Sequence, residues 1–550
     1  MNLYIPGKKK RPSPCPPTFV KKIDAAATRK SLILIWVISI LIQCAIWPSS
    51  EGLFAALLVL TGGILGINIC LRRKIFLNNP ISSLTLTGYL FYYFIFPPIV
   101  TLLEGKPLTN NLDNPNLVFT HATVCLIAIL LAHYIYRHSK LLAAQKLFFQ
   151  RKIYNPLGFY TPPSNLQLML IGLIGLSAMT IQTFISGAAQ GIATGAGDRL
   201  LQGFYGLSYV PYCILVRPLI GGDQKIQKHW PVILMAYTAL LLIVAMGSNS
   251  RSHIFIGIMS ALLAYSYGIF SGLISKNTIN TKKLISAGIA LLILSGPATD
   301  LATSMVIVRD KRTDISALDL AAETFRTFQD KESIRIATLL YSEKKSDWDE
   351  RYVDNLFFSR LSNLKFTDNS VTLAENLTPG QAEYLRSIEW QRVISVLPSP
   401  VISALGLSTN KEFVTSGSGG DFLYAISTGN GLAIGGFRTG SIFGSGYAMF
   451  NWFYPIILFL ICLLTFPLAD SLVKVTRNHT TKILTFNCLT IATLFSWFFY
   501  FTSAANGIES MSELSNYLIR GWIQTLIIYS FAYWITRALL TKPFKHKHLN

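Results

Sequence analysis

The feature that most narrows the fold of this chain is a series of apolar stretches. They lie near residues 31–47, 52–70, 82–103, 117–136, 165–186, 206–220, 231–247, 252–273, 284–306, 447–470, 483–503 and 517–538. A helix needs about 20 such residues to cross roughly 30 Å of hydrocarbon, and in lipid its backbone groups must bond within the helix. The series predicts an all-α polytopic membrane protein with about 12 transmembrane helices. Its weakest member is 206–220, which holds two prolines and an arginine. Composition agrees, since 51% of the 550 residues are hydrophobic and only 14% are charged, which excludes a disordered chain.

A long polar block, residues 307–446, separates the ninth and tenth stretches. It opens at VIVRDKRTDISALDL and closes on the glycine-rich GGDFLYAISTGNGLAIGGFRTGSIFGSGY. The chain thus divides into a basic tail (1–30), about nine spans (31–306), the block (307–446), about three more spans (447–538) and a second basic tail (539–550). No small-residue cleavage site follows 31–47 and another span comes directly after, so the first span is expected to be retained.

Of the 48 Lys/Arg and 27 Asp/Glu in the chain, the stretch from Arg309 to Arg438 contains 15 and 17. The remainder is left with 33 basic against 10 acidic residues. Such an excess in short loops is what the positive-inside rule produces, and nucleic acid is not needed to explain it. With spans alternating, both tails and the basic loops at 72–74, 137–152, 225–228, 276–283 and 474–482 fall on one side. The loops 48–51, 104–116, 187–205, 248–251 and 504–516 and the large block fall on the other. The expectation is cytoplasmic termini and an extracytoplasmic block. None of the seven cysteines lies in the block, and no Cys/His spacing suggests a metal.

Within the block, Leu318, Ala322, Phe325 and Phe328 follow helical spacing, as do Val353, Phe357, Leu361 and Leu364. Such helices would lie on the membrane surface or pack on the bundle. Pro398 and Pro400 break a third helical run. The glycine-rich end reads either as a flexible connector or as backbone that must approach something closely.

The chain has no P-loop, GxGxxG, HExxH or GxSxG motif, so no cofactor is expected. What remains is arginine in unusual places. Arg251, in MGSNSRSHIF, marks the boundary of a span, where it either snorkels or offers a bidentate fork to a phosphate. His253 follows it as a possible proton acceptor, although a lone histidine is commonly structural. Arg360 lies on the apolar face of its expected helix, and Arg438 is flanked by glycines. Arg199 has Asp198 as a local partner. Arg392 follows Trp390, a ring suited to stacking on sugar or to anchoring at the interface. Outward arginines without a nucleotide motif suggest a lipid-linked phosphate or pyrophosphate that brings its own activation. Arginine would neutralise the leaving group, and Glu389 or Asp421 would take the acceptor's proton.

The GSNSR element, the large late loop, and RVISVLPSP followed by GSGYAMFNWFYP resemble bacterial oligosaccharide repeat-unit polymerases, the O-antigen or capsule polymerases of the Wzy type. The likeness spans roughly residues 165–470 and rests on short motifs. It implies a GT-C-like glycosyltransferase of the bacterial inner membrane that joins undecaprenyl-pyrophosphate-linked repeat units at the periplasmic face, with a chain-length regulator as a partner. The family's pyrophosphate-handling arginines would correspond to Arg251, with Arg360 and Arg438 matching by position. Two alternatives stay open: an O-antigen ligase, favoured by His253, and a lipid-linked oligosaccharide flippase. The single late insert argues against the internal symmetry usual in transporters.

Overall fold

The computed structural model describes residues 25–185, 196–222, 227, 229–274, 296–297, 299–313, 315–343, 348–355, 357–436, 438–477, 482–502 and 508–541. Among them, seven helices are long and apolar enough to cross a membrane: Ser50–Cys70, Pro80–Leu103, Pro115–His138, Asn165–Ile185, Trp230–Gly247, Ile442–Ser471 and Met511–Leu540. Lys30–Ile46 and Phe255–Ser271 are shorter apolar helices. The architecture is that of a helical membrane protein. Its one sheet among the described residues is a two-stranded hairpin, Val473–Arg477 against Lys482–Phe486.

Proline chemistry shapes the second long span. Pro97 and Pro98 lack backbone donors, and the helix widens into a π-turn at Phe91–Ile95 just before them. The Phe94 carbonyl, which the N–H of residue 98 would otherwise reach, accepts instead from Trp36 Nε1 at 2.9 Å. The capping of Pro80–Leu90 comes from another span. Asp470 Oδ1 accepts from Ile81 N (2.8 Å) and Ser82 N (3.0 Å), and Oδ2 accepts from Ser82 Oγ and Tyr136 Oη. A fully buried carboxylate is thereby satisfied at a helix N-terminus.

Two expected spans differ, and a third lies mostly outside the described residues. Residues 206–220 do not form an α-helix. Tyr205–Ile220 is wound as 3₁₀ helix with Pro211 and Pro218 inside and a kink at Val216 (φ −126°, ψ 32°). The tight winding is possible because Gly175 lets it approach: a Cβ there would lie 2.2 Å from Ser208 N. Residues 483–503 are not a single helix either. They start as a strand, then form two short helices, Cys488–Ala492 and Leu494–Phe498, broken at Thr493. This segment is buried in the bundle, and Phe495 N donates to Ser260 Oγ at 3.0 Å. Most of the expected span 284–306 lies outside the described residues.

The two ends of the bundle are chemically distinct. At one end lie Arg72–Lys74, the 139–160 connection and the β-hairpin. They are tied together by Lys146 Nζ to Asn78 O (2.9 Å), Gln150 Nε2 to Val473 O (2.8 Å) and Arg73 Nη2 to Ser271 O (2.7 Å). At the other end the large block docks on residues 104–114. Glu104 accepts from Asp354 N and Asn355 N, both at 2.8 Å, and Tyr352 Oη donates to Leu108 O at 2.6 Å. Asp368 accepts from Asp113 N and Asn114 N at 2.8 Å, capping the span Pro115–His138 from outside it. Lys365 is buried between Asp113 (2.6 Å) and Asp368 (2.7 Å). Burial pulls its pKa down, but the two carboxylates outweigh that and raise it.

The block is mainly helical. Ala317–Gln329 buries Ala317, Leu320, Ala321 and Thr324, so the expected stripe lies on the open side, with Leu318 69% and Phe325 51% exposed. The second expected helix is reduced to one turn, Phe358–Leu361. Asn355 Oδ1 accepts from Phe357 N and Phe358 N at its start, and Ser362 is extended at its end. Helix Pro379–Ser395 stops before Pro398, and Ser399–Ala404 restarts with Pro400 in its first turn.

Candidate functional site

Four pieces of chain meet where the block closes on the bundle: helix Pro379–Ser395, helix Gly419–Thr428, the strand-like 438–441 and the turn entering helix Met511–Asn516. The glycine-rich end is what permits this. A Cβ on Gly420 would lie 2.4 Å from Arg438 O, and one on Gly440 would lie 2.9 Å from Glu509 O. The glycines serve close approach here, not a loose connector.

Three carboxylates surround one guanidinium at this junction. Arg392 Nη2 donates to Glu513 Oε1, its Nε lies 3.7 Å from Glu389 Oε1, and its Nη1 donates to Gly417 O at 3.1 Å. Ser512 Oγ donates to Glu389 Oε2, and Glu389 is 1% exposed. Glu513 Oε2 accepts from Glu509 N at 2.6 Å, and Glu509 Oε2 accepts from Gly440 N at 3.3 Å. Burial, then the neighbouring Glu513 and Glu350 carboxylates, push the Glu509 pKa well above the usual carboxylate range against the pull of Arg392. Burial lowers the pKa of Arg392, but Glu389 and Glu513 outweigh it and raise it, so this arginine stays charged.

Asp421 and Arg438 form the adjoining pair. Asp421 is fully buried, caps its own helix through Ser418, and accepts from Gly435 N (3.2 Å) and Arg438 N (3.0 Å). The Arg438 guanidinium folds back to Asp421 Oδ1 (3.4 Å) and Ala433 O (2.8 Å) and lies 4.4 Å over the Tyr424 ring. Its Nε is buried without a hydrogen-bond partner among the described residues. Glu350 Oε1 links onward, accepting from Thr439 N at 2.8 Å and Trp348 Nε1 at 2.9 Å. Beyond it stands Arg360. Its pKa is lowered by burial and by Arg309, against the opposing influence of Tyr92 and Glu350.

Five of the nine expected site residues thus gather in this region: Glu389, Arg392, Asp421, Arg438 and Arg360. Trp390 is 64% exposed and points out of the carboxylate cluster that its neighbours build. His253 meets Tyr205 edge-on at 5.4 Å, has no hydrogen-bond partner at Nδ1 among the described residues, and bonds to no member of the cluster. Arg251 opens helix Arg251–Ser271 and Arg199 belongs to helix Ala196–Gly203, but their side chains lie outside the described part of the structure. The sequence reading missed Glu509, Glu513, Glu350 and Arg309. The first two stand in GIESMSELS, where two acids directly abut an apolar stretch, and that was a usable signal. Among the described residues no three His, Cys, Asp or Glu side chains are placed to hold a metal ion. Comparison with protein-family models, with curated proteins and with solved structures gives no match.

Proposed function

We propose that this chain is a membrane glycosyltransferase that polymerises lipid-pyrophosphate-linked oligosaccharide units, undecaprenyl-linked in a bacterial inner membrane, at the end of the bundle that carries the large block. The observation that carries this reading is the cluster of Glu389, Glu509 and Glu513 about Arg392, with the Asp421–Arg438 pair adjoining it. An acceptor hydroxyl attacks the anomeric carbon of the donor sugar. The new O–C bond forms as the C–O bond to pyrophosphate breaks, and the pyrophosphate leaves with the electron pair. Arg438, whose buried Nε has no hydrogen-bond partner among the described residues, neutralises the charge developing on it. The hydroxyl's proton passes to Glu509, whose raised proton affinity makes it, once ionised, a stronger base than a surface glutamate.

Deleting the gene in its host tests this reading through the polysaccharide ladder on a gel. The expected result is a surface glycan capped with a single repeat unit. An unaltered ladder overturns the proposal. Long chains accumulating on the lipid carrier would instead identify a ligase.

A further inference from the structure

A cleft of about 670 Å³ opens beside the block, lined in part by the helix Pro379–Ser395 that also carries Glu389 and Arg392. It lies between the end of helix Lys365–Glu375, the first turns of Pro379–Ser395 and the end of helix Ile442–Phe450. Its volume falls in the range of small-molecule sites. One wall is polar. Arg386 donates from Nε to Met449 O at 2.9 Å, which fixes the guanidinium plane and leaves both Nη groups without a protein partner among the described residues. Glu375 stands opposite, and its one hydrogen bond among the described residues is a long 3.5 Å contact from Asn114 Nδ2. The other wall is aromatic, built from Tyr447, Phe450 and a Phe453 that is 72% exposed. Asn451 at the rim has the unfavourable backbone φ 49°, ψ −149° for a non-glycine residue, and of its side chain only Oδ1 bonds among the described residues, accepting from Trp452 N.

Aromatic faces on one side and planar, fork-shaped donors and acceptors on the other match the two faces of a pyranose. A sugar ring presents C–H groups to the first and vicinal hydroxyls to the second. A lipid headgroup would call for clustered cations, and here Arg386 is matched by Glu375. The apolar turn Asn451–Phe453 leads directly into the span Tyr454–Ser471, so a saccharide in the cleft lies at the mouth of the bundle. We propose that this cleft is a saccharide-binding subsite that holds the oligosaccharide chain of the lipid-linked substrate. The inference deepens the function proposed above and rests on it for the identity of that chain.

The test uses the full chain in nanodiscs and oligosaccharides released by mild acid from the host's own surface polysaccharide, with saturation-transfer NMR as the readout. The wild type is expected to transfer saturation to the sugar protons. Ala382→Trp fills the cleft without removing a hydrogen bond, and Arg386→Gln keeps an amide donor for Met449 O. Both should weaken binding about tenfold or more. Glu509→Gln, outside the cleft, should leave binding intact while transfer activity is lost. Binding unaffected by both cleft variants overturns the proposal, as does no transfer to the oligosaccharides from the wild type. Occupancy of the cleft by phosphatidylglycerol, reported by protection of Arg386 in sugar-free nanodiscs and lost in Ala382→Trp, also overturns it. If oligosaccharide binds in the cleft but gene deletion leaves the ladder unaltered, the subsite stands and the polymerase reading falls.

Discussion

Glu509 carries the pH behaviour of the junction. Its pKa in the fold is raised by burial and by Glu513 above the usual 4.5, so folding favours its protonated form. A raised carboxyl contributes stability that is fully present below its unfolded pKa and is lost as pH climbs through the folded value. Wild-type protein should therefore lose more thermal stability than Glu509→Gln as the pH rises above the usual carboxylate range, a difference that melting curves in detergent would reveal. Transfer runs the other way, since the base must be ionised. The rate should climb over the same window, and Glu509→Gln should lower it about 10²- to 10⁴-fold. Arg392 has a different role, as the one guanidinium bonded within the carboxylate cluster. Arg392→Gln leaves Glu389 and Glu513 buried without it, at a cost of about 3–5 kcal/mol. An Arg392→Gln protein as stable as wild type would show that the pairs contribute nothing. Arg360, Arg392 and Arg438 and the acids Glu389 and Asp421 stood out in the sequence because charge beside apolar residues is locally conspicuous. Their partners were not: Arg392 meets Glu513 across 121 positions, and no local pattern encodes such a pairing.

At the scale of elements, the sequence was most informative where hydrophobic period and hydrocarbon thickness coincide, as in Pro115–His138 and Trp230–Gly247. It failed where backbone chemistry overrides apolarity. Pro211 and Pro218 deny α-helical donors, so 205–220 winds more tightly, and Asn487 caps a short helix where a continuous span was expected. Period alone also did not decide which side of Ala317–Gln329 is buried, because its small residues, not Leu318 and Phe325, meet the end of Trp230–Gly247. The docking of the block is the element-level feature with the clearest consequence. Asp368 satisfies two orphan N–H groups at the start of Pro115–His138 while bonding Lys365. Asp368→Ala should expose those donors and strip a buried ammonium of one of its two carboxylates, so the segment 348–376 should detach first. Hydrogen exchange there should quicken by one to two orders of magnitude, from about 1–3 kcal/mol lost, while the span itself stays protected. Uniform loss of protection across the bundle would show instead that the clamp supports the whole fold.

The whole molecule separates charge between its ends, and that separation governs how it sits in a membrane. The hairpin end gathers Arg72, Arg73, Lys74, Lys146 and Lys474, while the block at the opposite end pairs several of its cations internally, as in Lys311–Glu323, Lys365–Asp368 and Arg438–Asp421. Short basic loops resist translocation, whereas a long domain crosses largely regardless of charge. The hairpin end should therefore face the cytoplasm. Single cysteines in a background without the seven native ones check this directly, placed at Thr409 in the block and at Thr476 in the hairpin. A membrane-impermeant maleimide added to intact spheroplasts should label position 409 at once and position 476 only after permeabilisation. The reverse pattern would place the carboxylate junction on the nucleotide-rich side of the membrane. The absence of a nucleotide motif would then no longer favour a pre-activated lipid-linked donor, so the orientation of the bundle and the chemistry of the site stand or fall by one labelling experiment.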